Sequence, residues 1–165
     1  MLKFPLLFAC IGAVLFLPQE PSMPRIPDHA HAFDFWTGSW KLTWGDTNTA
    51  TNVITKEMDG HVIAEHFEQA AIKYRGASWS MYDSTNDRWQ QTWVDNQGGY
   101  FALTGGWSTD RMILSTAPLK PGGLRFQRMV FSDIEHDAFN WDWMSTTDGG
   151  ATWKSQWRIH YQRSK

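Results

Sequence analysis

The sequence contains almost no cysteine and has no excess of charge of either sign. Cys10 is the single cysteine among 165 residues, so the chain has no internal disulfide framework. Fifteen Lys and Arg residues stand against 17 Asp and Glu residues, which leaves a net charge of -2. Because binding to nucleic acid or to anionic lipid requires clustered positive charge, we expect neither as a partner.

The common catalytic and cofactor-binding motifs are also missing. The chain has no G-x-S-x-G elbow, no phosphate-binding G-x-x-x-x-G-K-S/T loop and no H-E-x-x-H helix. His61 and His66 are five positions apart on one predicted strand, so they point to opposite faces and do not share a metal ion. We therefore predict no metal site and no cofactor.

The first 32 residues differ in composition from the rest. Residues 6–17 (LLFACIGAVLFL) are apolar, and a run of 12 is shorter than the roughly 20 residues that span a bilayer. Residues 18–27 are rich in proline. We predict a signal peptide and spacer over 1–32, export to the periplasm or the exterior, and no membrane contact after the leader is removed. An uncleaved anchor is the alternative; removal would take Cys10 with it and exclude thiol catalysis.

From residue 33 onward the pattern is typical of β-structure. Short runs rich in aromatic and β-branched residues alternate with turn residues such as Gly, Asn and Asp. Nine turns predict ten strands, at 39–44, 50–58, 61–70, 77–83, 88–95, 100–107, 111–118, 124–132, 138–146 and 152–163. Short connections favour antiparallel neighbours, and closure removes the sheet edges. We predict an all-β domain over 33–165, an up-and-down barrel of about ten strands with a helical turn at 32–37 that closes one end.

Several segments of this domain resemble a known group of proteins. FDFWTGSW (33–40), QTWVD (91–95), LTGG (103–106) and DGGATW (148–153) resemble exported, lipocalin-like bacterial proteins of unknown function. The opening segment is similar, more loosely, to the G-x-W start of lipocalins and of the haem-binding nitrobindins. This resemblance implies a calycin-type barrel and carries no catalytic residues with it.

The resemblance to nitrobindins implies one alternative cofactor, haem held by a histidine in the final strand. His160 is the matching residue. The alternation of side chains places it outward with Arg158, so haem binding would require a register shift of one residue.

Residues 146–153 also match the Asp-box of sialidases, S/T-x-D-x-G-x-T-W. One copy in a chain too short for a propeller predicts a structural hairpin and no glycosidase activity. In such a hairpin Asp148 caps the turn amides and Trp153 packs beneath them.

Alternate positions of each strand share a face, which sorts the aromatic residues into groups. The groups that we predict to face inward are Trp79 with Met81; Trp89, Gln91, Trp93 and Asp95; Phe139, Trp141, Trp143 and Ser145; Trp153, Ser155, Trp157, Ile159 and Tyr161; Ile63, Glu65 and Phe67; and Leu124, Phe126, Arg128 and Val130.

A barrel of ten strands is wider than the eight-stranded kind that side chains just fill, so an internal cavity is expected. We predict that it binds a small apolar or amphipathic molecule. The predicted contacts are Trp93, Trp141 and Trp143 for the apolar body and Glu65, Gln91 and Arg128 for the polar end. Two alternatives stay open: the indoles fill the barrel while Glu65 and Arg128 neutralise each other, or Glu65 is the acid or base of an enzyme for a small hydrophobic substrate.

Overall fold

Ten antiparallel strands, each hydrogen-bonded to its neighbour in sequence, close into a barrel in the computed structural model, which describes residues 28–165. The strands are β1 (Gly38–Trp44), β2 (Asn48–Glu57), β3 (Val62–Gln69), β4 (Tyr74–Asp83), β5 (Arg88–Asp95), β6 (Tyr100–Ser108), β7 (Arg111–Thr116), β8 (Phe126–Ser132), β9 (Ala138–Thr146) and β10 (Lys154–Arg163). The sheet closes where β10 pairs with β1, with Leu42 opposite Tyr161. The predicted all-β, up-and-down barrel is confirmed.

Two short 3-10 turns, Asp28–His31 and Asp34–Trp36, precede β1. The second confirms the predicted helical turn at the barrel end. The predicted signal peptide and most of the spacer fall at 1–27, outside the described residues. No helix in the described part of the chain has the length and apolarity needed to cross a membrane.

The start of β4 differs from the prediction by three residues. The strand begins at Tyr74, whereas the sequence predicted a start at residue 77. A 3-10 turn at Ala70–Ile72 is followed by Lys73 in the left-handed conformation (φ 56°), which reverses the chain tightly. Gln69 and Tyr74 then pair directly. The left-handed position of this turn is usually occupied by glycine or asparagine. Here it is a lysine, so residue type does not locate the turn.

Aromatic side chains from the N-terminal turn close one end of the barrel. Phe33 and Trp36 are fully buried and their rings stack at 4.9 Å. Phe33 also meets Trp89 and Phe131 edge-on, each at 5.2 Å between ring centroids. The Trp40 indole N–H donates to the carbonyl of Trp36 at 2.8 Å, which ties the turn to β1. This cluster forms the floor beneath the barrel interior.

The inward face predicted for β4 is wrong. Trp79 and Met81 point outward, with 45% and 52% of their surfaces exposed, while Ser78 and Ser80 are fully buried inside. Ser78 lies opposite Glu65 of β3 and Trp93 of β5. Because residues directly opposite in an antiparallel pair share a face, the large neighbours leave room on β4 only for small side chains.

The predicted inward face of β8 is also wrong, and Arg128 with it. Met129 and Phe131 point inward, whereas the Arg128 guanidinium lies outside, 3.8 Å from the centre of the Trp153 ring. Val130 is buried on the outer face as well. Both faces of this strand are buried, so apolar residues occur on both. The sequence therefore shows no alternation of polar and apolar residues from which the inner face could be recognised.

The start of β10 differs for another reason. A β-bulge between Ser155 and Trp157 breaks the alternation, so Trp157, Ile159 and Tyr161 face the core as predicted while Trp153 and Ser155 do not. Ser155 instead donates to Asp142 on the outer surface at 2.9 Å. A bulge inserts one residue and exchanges the two faces of the strand before it.

The hairpin between β9 and β10 has the geometry expected of an Asp-box. Asp148 accepts hydrogen bonds from the Thr146 hydroxyl (2.7 Å) and the Thr152 amide (3.0 Å). The Trp153 indole donates to the carbonyl of Gly150 at 3.0 Å. The hydrogen bonds from Thr152 and Thr146 hold the pKa of the Asp148 carboxyl well below its usual range. The motif therefore builds a turn.

Replacing Phe33 with alanine tests whether the floor stabilises the barrel. The variant removes a fully buried ring that touches four others, so we expect the free energy of unfolding to fall by about 3–5 kcal/mol in urea titrations. Tyr100→Ala, at a site 64% exposed, is the control and should change it by less than about 0.5 kcal/mol. Equal effects of the two changes would contradict the role of Phe33.

Candidate functional site

The barrel encloses a cavity of about 210 Å³ above this floor. Most of its wall is aromatic. The described residues that line it are Trp36, Glu65, Phe67, Tyr74, Gln91, Trp93, Phe101, Leu103, Met129, Trp141, Trp143, Trp157, Ile159 and Tyr161. Trp36 and Tyr161 are buried at the closed end, whereas Tyr74, Trp93 and Trp143 are half-buried. The cavity therefore reaches from the floor toward a rim of partly exposed rings.

Five of the six predicted contact residues lie on the cavity wall, namely Glu65, Gln91, Trp93, Trp141 and Trp143. Trp141 and Trp143 are nearly parallel, with an angle of 11° and 6.2 Å between ring centroids. The sixth, Arg128, lies outside the barrel, because its position on β8 belongs to the outward face. The proposed neutralisation of Glu65 by Arg128 inside the barrel is therefore wrong.

Glu65 is the centre of a small polar group on the largely apolar wall. Its Oε1 accepts a hydrogen bond from the Asn52 amide (2.7 Å), and its Oε2 accepts one from the Ser78 hydroxyl (2.6 Å). The same Asn52 amide also donates to the Tyr161 hydroxyl at 3.1 Å. We define these four residues, Asn52, Glu65, Ser78 and Tyr161, as the Glu65 cluster.

Burial raises the pKa of Glu65 to about 7, and the hydrogen bonds from Ser78 and Asn52 oppose part of that rise. The side chain is only 6% exposed. All of its hydrogen-bond donors in the described structure are neutral, and no Lys, Arg or His appears among the described residues that line the cavity. A carboxyl group with these properties could take up or release a proton near neutral pH.

Two members of this cluster were missed in the sequence. Asn52 lies between Ala50 and Ile54 on the buried face of β2. One polar amide among apolar residues of the same face is the signal that could have identified it. Ser78 gives no signal in the sequence, because the large aromatic Trp79 beside it predicts the opposite face of β4 as the inner one. A second polar pair lies on the same wall, where Gln91 donates to the Ser80 hydroxyl at 2.9 Å.

Asp95 positions two aromatic rings at the rim. Its Oδ2 accepts hydrogen bonds from the Tyr74 hydroxyl (3.0 Å) and the Trp93 indole (3.2 Å), while Oδ1 accepts from the amides of Gln97 and Gly99. Partial burial acts to raise the pKa of Asp95, but the hydrogen bonds from the Gly99 and Gln97 amides, the Trp93 indole and the Tyr74 hydroxyl together outweigh it and hold that pKa below its usual value. Asp95 is therefore engaged in the β5–β6 turn and does not line the cavity.

Gly76 supports the same arrangement from β4. A Cβ atom at this position would overlap the six-membered ring of Trp93. The indole thus lies directly on the backbone of β4, where only a residue without a side chain leaves room for it.

The described residues do not fit haem or a metal ion. His160 is exposed on the outside of β10 and contacts Asn140 at 3.1 Å, in agreement with its predicted outward position. No group of three or more His, Cys, Asp or Glu residues in the described range is placed to hold a metal. The cavity of about 210 Å³ is also smaller than the roughly 300–1,000 Å³ of sites for drug-sized ligands. A porphyrin is larger than such ligands, so the cavity is too small for haem.

No protein-family model matches the chain, and a comparison with curated proteins finds no significant similarity. By its fold the protein is a closed, ten-stranded, antiparallel up-and-down β-barrel. A buried aromatic cluster surrounds its internal cavity.

The contact between Gly76 and Trp93 can be tested by Gly76→Ala. The added methyl group must displace the indole, and we expect urea titrations to show a loss of about 1–3 kcal/mol in the free energy of unfolding. Gly106→Ala, on β6 with open space around its Cβ position, is the matched control and should be neutral. In a Trp93→Ala background the Gly76→Ala change should have little effect. An undiminished loss there would show that the ring is not the cause.

The pKa of Glu65 predicts a pH dependence of stability. The pKa is raised in the folded protein from an ordinary 4.5 to about 7, so the protonated form favours folding and its contribution is complete below pH 4.5. That contribution is lost as pH rises toward 7 and amounts to about 3 kcal/mol. Urea titrations from pH 4.5 to 8 should show this slope in the wild type and in exposed Glu68→Gln, but not in Glu65→Gln. The same slope in all three proteins would contradict the raised pKa.

Proposed function

We propose that the protein binds a small, largely apolar molecule with one polar group in the barrel cavity. The observation that carries this proposal is the cavity of about 210 Å³ lined mainly by aromatic rings. Indole and phenyl faces bury flat apolar surfaces well, and a few polar groups on one wall orient a ligand. Glu65 and Tyr161 of the Glu65 cluster, together with Gln91, provide those groups.

The cavity volume limits the size of the ligand. A dry cavity of roughly 150 Å³ accepts benzene, and drug-sized ligands occupy about 300 Å³ or more. A cavity of about 210 Å³ suits a molecule with one or two rings. An amphipathic molecule of this size would place its rings against Trp141 and Trp143 and its polar group toward Glu65.

A barrel filled only by its own side chains is the structural alternative. A cavity of about 210 Å³ leaves its lining rings without packing partners on one side, and lost packing contacts reduce stability. A bound molecule offsets the same loss, which favours ligand binding.

An enzyme that uses Glu65 as acid or base is the second candidate. Its support is the near-neutral pKa of a carboxyl group on the cavity wall. Glu65 is the single carboxylate among the described lining residues, and Asp95 is held in a turn. Glycoside hydrolysis by two facing carboxyl groups therefore has no support, and binding is the better proposal.

Export and a lipocalin-like ancestry belong to the same proposal. Export rests on the apolar run at 6–17, and the lipocalin-like relationship on segments such as FDFWTGSW. A periplasmic or extracellular carrier of small molecules is consistent with both.

Replacing Trp143 with alanine tests the binding site. Indole, a flat apolar molecule with one N–H donor, is the probe, and isothermal titration calorimetry is the measurement. We expect Trp143→Ala to weaken indole binding about tenfold, because the ring on the wall is lost. Trp79→Ala removes an indole from the outer face and should leave the affinity unchanged.

Native mass spectrometry of the protein purified without detergent extends the test to a carried ligand. A native mass above the denatured mass would support the proposal, and dissociation of the complex would identify the molecule. Absence of indole binding together with equal native and denatured masses would contradict it.

A further inference from the structure

We propose that the ligand is a small organic amine, bound as its ammonium ion, with the charged group held by Glu65 and the apolar body among the indoles. This inference rests on the proposed binding function and specifies the chemical class of the ligand. It follows from the signs of the charges on the cavity wall, the unused acceptor sites of Glu65 and the aromatic character of the lining.

The cavity wall favours a positive charge. Among its described residues the ionisable groups are Glu65, Tyr74 and Tyr161, and none of them is basic. The faces of aromatic rings carry partial negative charge and attract ammonium groups within about 6 Å of the ring centre. A negative carboxylate and negative ring faces therefore act on a ligand in the same direction.

Glu65 has acceptor sites that the protein does not use. An ionised carboxylate offers about four lone-pair positions, and the structure gives Glu65 two hydrogen bonds, from Asn52 and Ser78. Both donors are neutral, so the negative charge has no countercharge from the described residues around the cavity. Because a buried charge is stable only when it is paired, a ligand ammonium group would complete the site.

The polar groups near Glu65 come from three strands, and none of these groups is basic. β2 contributes Asn52, β4 contributes Ser78 and Tyr74, and β10 contributes Tyr161. Tyr161 is neutral, because burial and the charge of Glu65 raise its pKa well above the ordinary value. Burial and the nearby Asp95 carboxylate likewise raise the pKa of Tyr74 to about 12. The charge of the cluster therefore depends on Glu65 near neutral pH.

Aromatic residues line the same cavity as this carboxylate. Trp93 lies directly opposite Ser78 in the β4–β5 pairing, and Ser78 donates to Glu65. Trp141 and Trp157, on the neighbouring strands β9 and β10, meet edge-on at 5.6 Å on the cavity wall. An aryl amine with its ammonium group at Glu65 would thus extend its ring between indoles.

A neutral ligand is the competing possibility, since a protonated Glu65 could donate a hydrogen bond to an alcohol. The two ligand classes differ in pH dependence. Ionisation of Glu65, with a pKa of about 7, strengthens binding of an ammonium ion as pH rises from 6 to 8. It gives no such gain to an alcohol, which carries no charge at either pH.

The test compares 2-phenylethylamine with 2-phenylethanol, two probes of nearly the same shape, by isothermal titration calorimetry at pH 6 and 8. We expect the amine to bind about 10- to 100-fold more tightly than the alcohol at pH 8, as charge-assisted hydrogen bonds imply. The preference should shrink at pH 6. Glu65→Gln should abolish it, whereas Glu68→Gln, which removes an exposed carboxylate from the same strand, should preserve it.

The outcomes separate this inference from the function on which it rests. Equal binding of amine and alcohol, or a preference that survives Glu65→Gln, would overturn the amine assignment and leave the binding function standing. Binding of neither probe at either pH, together with no binding of indole and equal native and denatured masses, would overturn both. Urea titration of Glu65→Gln is the control that tests whether the variant is folded under the conditions of the binding measurement.

Discussion

The pairing of β10 with β1 is the contact on which the rest of the structure depends. It places Trp40 opposite Arg163 and Leu42 opposite Tyr161, and it converts a strip of ten strands into a closed barrel. Closure gives every strand an inner face and removes the exposed sheet edges. Without it the aromatic rings now gathered around the cavity would lie on an open sheet, exposed to water.

The two ends of the barrel are built differently, and this difference creates a site. At one end the buried rings of Phe33 and Trp36 close the barrel. Toward the other end Asp95 holds Tyr74 and Trp93 at the rim by hydrogen bonds, so the rings stand at fixed positions and do not collapse inward. A filled floor and a supported rim leave a cavity between them, and Glu65 lies on its wall.

Much of this arrangement was predictable where one face of a strand is polar. On β5 the alternation of Trp89, Gln91 and Trp93 with polar neighbours predicted the inner face correctly, and on β9 the same held for Trp141 and Trp143. It failed where the contrast between faces is lost or reversed. On β4 and β8 large apolar residues lie outside or on both faces, and the inner positions of β4 are serines.

The amino-acid sequence by itself determined the number of strands, their order and most of their bounds, because turn residues and alternating runs are local signals that neighbouring residues carry. Only the tertiary structure decided which residues surround Glu65. Asn52, Ser78 and Tyr161 come from three other strands, and their meeting depends on register and on closure of the barrel. Register is set by packing across strands, so no segment of the chain encodes it alone.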